Sequence, residues 1–173
     1  LLLNIALRAR GYNNFRNNEE SGESFFINEI LAPTNPKLCI DIGANIGGYT
    51  IELLEKTSAR VVSFEPLPTA FQKLVEVTKN SVERVTLENK GVGREEDILT
   101  IHYNSNALSH ASFSEEVKKV SYVSNEEKLE VPVITLDGYC EVNDITTIDL
   151  VKIDTEGFES EVFEGAKNTF SKI

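Results

Sequence analysis

No methionine occurs anywhere in the 173 residues, not even at position 1. The expectation from that absence is a fragment or a trimmed form of something longer. Long apolar runs are missing too: none approaches the roughly 20 residues a membrane-crossing helix needs. The opening Leu1-Leu2-Leu3 is too short for the apolar region of a signal peptide and soon meets Arg8 and Arg10. A chain without a membrane span, working in the cytoplasm, is the expectation. Cysteine is scarce. Only Cys39 and Cys140 occur, and Cys39 sits in an apolar run, so a buried free thiol is the first reading and a disulfide the second. With two histidines and two cysteines far apart, zinc-type spacing is excluded. Positive charge is also short, 17 Lys and Arg against 28 Asp and Glu for a net −11. That balance argues against a nucleic-acid partner, because phosphate binding wants a basic face and no basic patch is visible.

What is present is the composition of one globular domain, 40% hydrophobic and 26% charged, long enough to bury a core. Glu19 to Leu31 reads as a helix with Phe25, Phe26, Ile30 and Leu31 as its apolar stripe, broken by Pro33 and Pro36. The run Leu38 to Ile42 has the continuous apolar character of a buried parallel strand. Helices are expected over Tyr49 to Lys56 and Thr69 to Asn80, the latter with a Thr69/Gln72 capping box. Strands are expected at Val61 to Phe64, Val85 to Leu87 and Ile148 to Ile153, and a last helix over Gly157 to Phe170. Strands alternating with helices predict a mostly parallel sheet with helices on both faces. Ile98 to Tyr103 and Leu129 to Leu136 alternate in the strand period and are expected to pair antiparallel. The polar stretch between them, Asn104 to Lys128, reads as a long functional loop with a short helix around Glu115 to Val120. Residues 1–36 thus form an N-terminal helical segment. Residues 37–173 form the main domain, with the strand pair and loop inserted at about 97–136.

Two places carry chemistry. The turn Asp41-Ile42-Gly43-Ala44-Asn45-Ile46-Gly47-Gly48 joins a buried strand to a helix, where glycines let the backbone turn and approach a ligand. In an open α/β sheet that strand end is where ligands bind. Glu65, ending the next strand before Pro66, is placed to accept the hydroxyls of a ribose, and Asp41 to meet an ammonium. A dinucleotide site wants Gly-x-Gly-x-x-Gly, with a middle glycine that makes room for pyrophosphate. Asn45 occupies that position, which favours a cationic adenosyl ligand without phosphates: S-adenosylmethionine (SAM). The second place is Lys152-Ile153-Asp154-Thr155-Glu156-Gly157-Phe158-Glu159 at the end of the fourth parallel strand, beside the first turn in a sheet ordered 3-2-1-4. Asp154 or Glu156 would serve as general base toward a hydroxyl acceptor. Glu159 either touches the acceptor or only complements a helix dipole. An acid cluster also admits Mg²⁺ as an alternative, though no metal is expected. His110, beside the polar loop, is a candidate substrate contact.

These motifs, with Asn89-Lys90-Gly91-Val92-Gly93 and Val133-Ile134-Thr135-Leu136-Asp137, resemble the FkbM-type methyltransferases over roughly Leu38 to Phe170. The resemblance implies a Rossmann-like class I methyltransferase sheet, SAM as donor, and O-methylation of a sugar, glycan or natural-product hydroxyl. By that similarity Asp41, Gly43, Ala44, Asn45 and Gly47 line the methionine part of the donor, and Glu65 and Pro66 the ribose. Asn89, Gly91 and Val92 lie near adenine, and Asp154 and Glu156 on the acceptor side. Gly91 departs mildly, since Ala is the expected small residue there. In the family the sheet continues after the last helix, so a chain ending at Ile173 should expose a sheet edge, and should be weakly stable alone or dimerise. An NAD-dependent oxidoreductase and a non-catalytic Rossmann-like binding module remain the competing readings.

Overall fold

A computed structural model describes residues 22–104, 107–112 and 127–171. A short helix α1 (Glu23–Phe25) leads into a π-helical stretch, Phe26–Leu31, and a 3₁₀ turn, Ala32–Thr34. Then come β1 (Leu38–Ile42), α2 (Gly48–Lys56), β2 (Arg60–Phe64), α3 (Pro68–Thr78) and β3 (Val85–Glu88). The middle holds β4 (Gly91–Val92), β5 (Asp97–Asn104), β6 (Ala107–Ser112), β7 (Glu127–Ile134) and α4 (Leu136–Val142). The chain closes with β8 (Leu150–Ile153), α5 (Glu159–Glu164) and α6 (Lys167–Phe170).

The main sheet runs β3-β2-β1-β8, every pair parallel, in the expected order. Side chains alternate across a strand, and β1 divides the core accordingly. Leu38, Ile40 and Ile42 pack with Val62 and Phe64 against Leu136 and Tyr139 of α4 and Val162 of α5. Cys39 and Val61 face the other way, against Leu53 and Leu54 of α2 and against Ile27 and Leu31. All five β1 residues are buried, which is why this strand has no polar face to betray its period. Helices therefore cover both faces, a Rossmann-like arrangement. Both cysteines are buried free thiols, and burial, with Asp149 nearby, pushes Cys39 up to about 12. Among the described residues, no helix is long and apolar enough to cross a membrane.

A second sheet, β4-β7-β5-β6, carries the expected antiparallel pair, β5 with β7 from Asp97↔Val133 to Tyr103↔Glu127. The polar stretch read as one loop contains β6, which pairs back onto β5. The short helix expected at 115–120 lies outside the described residues.

Four other expectations are corrected. The N-terminal helix buries Ile27 and Leu31, while Phe25, Phe26 and Ile30 are exposed. The reason is tertiary: Ile27 and Leu31, four residues apart on one face, are the pair that packs with Leu53, Leu54 and Val61. The Thr69/Gln72 capping box does not form, because Pro68 occupies the first turn of α3 and Leu67 is the cap residue, with no side-chain capping bond. The last helix is two, α5 and α6, split at Gly165, where a Cβ would stand 1.9 Å from the Gly93 carbonyl oxygen. Finally, β7 ends at Ile134 and not at the expected Leu136, because α4 starts there, capped by the Thr135 hydroxyl accepting from the Gly138 N–H at 3.0 Å.

Candidate functional site

Because β1 leads to β2 on one side and meets β8 on the other, the chain reverses direction around β1, and a crevice opens at the carboxyl ends of the three strands. Ile42, Gly43 and Asn45 line one part, Phe64, Glu65 and Pro66 another, Gly91 and Val92 a third, and Asp154, Thr155 and Glu156 the far wall. The two stretches picked out as chemical are thus brought together. Lys90 and Ile101 complete the lining. Lys90 belongs to the Asn89-to-Val92 stretch that the resemblance sets near adenine; Ile101 is a core-type residue of the inserted sheet, and only tertiary packing of β5 brings it here.

Glu65 is 7% exposed. Its Oε2 accepts the Asn45 N–H at 2.8 Å and its Oε1 the Leu67 N–H at 2.8 Å. Burial dominates and raises its pKa to about 7, with the two backbone donors and Lys152 pulling it down and Asp41 pushing it up. Each oxygen keeps a second lone pair for a ligand hydroxyl. Asn45 sits at φ 50°, in the left-handed region that asparagine tolerates, and its buried Oδ1 has no partner among the described residues. Such an orphan costs about 1–3 kcal/mol, which a ligand donor would offset. Gly43 (φ 82°) is demanded by contact: a Cβ would lie 1.9 Å from the Asp154 carbonyl oxygen.

Other expected donor contacts have different work. Asp41 is fully buried and does not line the crevice. Its Oδ2 accepts from the Thr50 hydroxyl at 2.7 Å, and its Oδ1 lies 3.3 Å from the Lys152 ammonium. The ammonium that Asp41 meets is therefore the protein's own. Gly47 (φ 93°) is needed for helix packing, since a Cβ would come within 2.8 Å of Leu74 and Val77. Ala44 is buried outside the lining. Asn89 stands behind the crevice, its Nδ2 donating to the carbonyls of Glu65 at 2.8 Å and Pro66 at 3.1 Å, which braces the end of β2.

On the far wall, the Asp154 side chain is 63% exposed, with Oδ2 3.5 Å from Lys152. Glu156 lines the crevice from a left-handed residue, φ 52°. Glu159 does not line it. One carboxylate oxygen accepts from the N–H groups of Thr155 and Gly157, both at 3.0 Å, and from the Thr155 hydroxyl at 3.1 Å. Burial raises its pKa, but these donors outweigh burial and leave it below the usual range. Its role is to hold the turn that presents Asp154 and Glu156. His110 falls on β6, and its side chain lies outside the described part. Among the described residues no cluster of three His, Cys, Asp or Glu is placed to hold a metal ion.

A family model described as the methyltransferase FkbM domain matches residues 41–173. Methyltransferase 1 of Beauveria bassiana is 25% identical over 144 residues, covering 73% of this chain and 57% of that protein. The hexuronic acid methyltransferase AglP of Haloferax volcanii is 27% identical over 133 residues, covering 77% of this chain and 51% of that protein. The chain thus spans about half the length of the curated relatives it matches. A solved structure of an FkbM methyltransferase from Methylobacillus flagellatus shares the fold with a TM-score of 0.52 at 21% identity, over 79% of this chain and 30% of that one.

Proposed function

We propose, from the premise that this chain belongs to the FkbM methyltransferase family, that its crevice binds SAM and that the intact protein methylates a hydroxyl oxygen. The observation that carries this reading is Glu65. A buried carboxylate, fixed by two backbone N–H groups and facing a crevice at the switch point, suits the paired hydroxyls of a ribose. The orphaned Oδ1 of Asn45 supports a ligand bearing a donor on the same side. Apolar Ile42, Val92 and Ile101 offer the surface an adenine ring needs.

SAM carries its own sulfonium leaving group, so the protein's share is to align the acceptor, exclude water and take up a proton. Asp154 and Glu156 stand at the wall where an acceptor hydroxyl would enter, and either carboxylate can receive its proton. A sugar or other small hydroxylated acceptor is favoured over nucleic acid by the net charge of −11. A relative whose name specifies hexuronic acid supports the sugar.

Calorimetric titration of the intact protein with S-adenosylhomocysteine tests the donor site: micromolar binding is expected, lost in Glu65→Ala. Absence of binding to the unaltered protein would remove the proposal. Labelled SAM with a panel of glycans then tests the acceptor, and Asp154→Asn should slow transfer about 10²–10⁴-fold.

A further inference from the structure

The Lys152 ammonium, outside the crevice lining, touches a residue from each of its two walls, Gly43 and Asp154. Its side chain is 16% exposed. It donates to the Gly43 carbonyl at 3.3 Å, lies 3.3 Å from Asp41 Oδ1 and 3.5 Å from Asp154 Oδ2, and stands over the Tyr49 ring at 5.6 Å. The first two oxygens belong to the donor-side turn and the third to the acceptor-side acid. Behind Asp41 the chain of contacts continues through the Thr50 hydroxyl at 2.7 Å to Ser63 at 2.8 Å, all buried. We propose that Lys152 is a positioning residue for methyl transfer: one ammonium ties the donor turn to Asp154 and fixes the two halves of the site against each other.

Two facts separate this role from simple neutralisation of a buried acid. Neutralising Asp41 needs only one contact, whereas the ammonium also engages a backbone carbonyl of the turn and a carboxylate on the opposite wall. Its cation–π seat on Tyr49 restricts it further. A lysine, with three donors on a compact head, suits three oxygens arranged around it better than a planar guanidinium does. The proposal rests on the donor reading given above.

The test uses the intact protein and compares Lys152→Met, the double variant Asp41→Asn/Lys152→Met, and Lys152→Arg. Lys152→Met alone leaves Asp41 charged and buried without its cation, and is expected to destabilise the fold. The double variant removes that charge and should recover the thermal transition. If Lys152 positions the site, the double variant still binds S-adenosylhomocysteine at least about fivefold more weakly, because about 1 kcal/mol of turn anchoring is gone. At one neutral pH, the Asp154 carboxyl carbon resonance should move away from its wild-type position, since the ammonium 3.5 Å from Oδ2 is gone. Lys152→Arg keeps the charge and the fold but not the three-way geometry, so it should show the weakened affinity with Asp154 little moved. Wild-type affinity and an unshifted Asp154 in the double variant would overturn the proposal and leave Lys152 a counterion of Asp41. Should the double variant not fold, Lys152→Arg with wild-type affinity would overturn it equally. If the unaltered protein binds no S-adenosylhomocysteine, the donor reading fails, while the Asp154 carboxyl resonance still decides whether Lys152 holds that acid.

Discussion

On the wall built from β1 and β2, Glu65 is 7% exposed and held by two backbone N–H groups. On the β8 wall, by contrast, the Asp154 side chain is 63% exposed and leans on a lysine. The first arrangement is directional and dry. The amides belong to the turns that follow β1 and β2, so the carboxylate cannot move without those turns. The second is wet and adaptable, as an acid must be if it is to meet an acceptor and give up its proton to water afterwards. The difference teaches that the two walls should fail differently when altered: one in donor affinity, the other in turnover.

The harshest way to break the comparison is to strike where the walls touch. Gly43→Ala places a Cβ 1.9 Å from the Asp154 carbonyl oxygen at a backbone φ of 82°. A loss of more than about 4 kcal/mol in urea denaturation, or failure to fold, is expected. A small loss would mean that the walls are not locked through their backbones. Next in size is the contrast between acids. Glu65→Ala should weaken S-adenosylhomocysteine binding about 100-fold, near 3 kcal/mol, while Asp154→Asn changes it less than about twofold. Equal losses in calorimetry would erase the division of labour.

Protons sharpen the same contrast. Burial raises the Glu65 carboxyl to about 7 in the folded chain, against its ordinary 4.5. The native state therefore holds a proton between those values that the unfolded chain releases, so the contribution is fully present below about 4.5 and lost as pH rises through 7. Its size is on the order of 3 kcal/mol, read as a falling stability slope that Glu65→Gln abolishes. Donor affinity should run the other way and rise through pH 7, because ribose hydroxyls donate best to the ionised carboxylate. A pH-independent affinity would contradict the ribose role. The smallest effect belongs to Glu159→Gln. Weakening a carboxylate that takes three donors should cost about 1–2 kcal/mol of stability, with S-adenosylhomocysteine affinity within about twofold of wild type. A loss of affinity as large as that of Glu65→Ala would return Glu159 to the binding wall.

Much of the architecture was legible because it rests on local patterns. Leu38 to Ile42 is apolar throughout because it is buried on both faces, and the glycine-rich turn after it announced the strand end. What stayed hidden had no local signature. Strand β6 lies in a polar stretch and exists through its pairing with β5. Helix α4 has only seven residues, one of them Gly138, too short to show a helical period. Phe25, Phe26 and Ile30 look like a core stripe along the chain, but the face that meets Leu53, Leu54 and Val61 carries Ile27 and Leu31 instead. Asp41 and Glu65 looked alike as acids at strand ends. Nothing in their neighbours along the chain says that one faces Lys152 and the other a crevice.

By itself, the sequence determined that parallel strands would alternate with helices, with the fourth of them (β8 in the structure) beside the first, and that a glycine turn and an acid would meet at their ends. Burial on two faces and tight backbone turns write themselves into adjacent residues. The tertiary structure decided which carboxylate is dry, which is wet and which is already partnered. Those properties depend on neighbours through space, and a side chain's surroundings are settled only when distant strands are laid side by side.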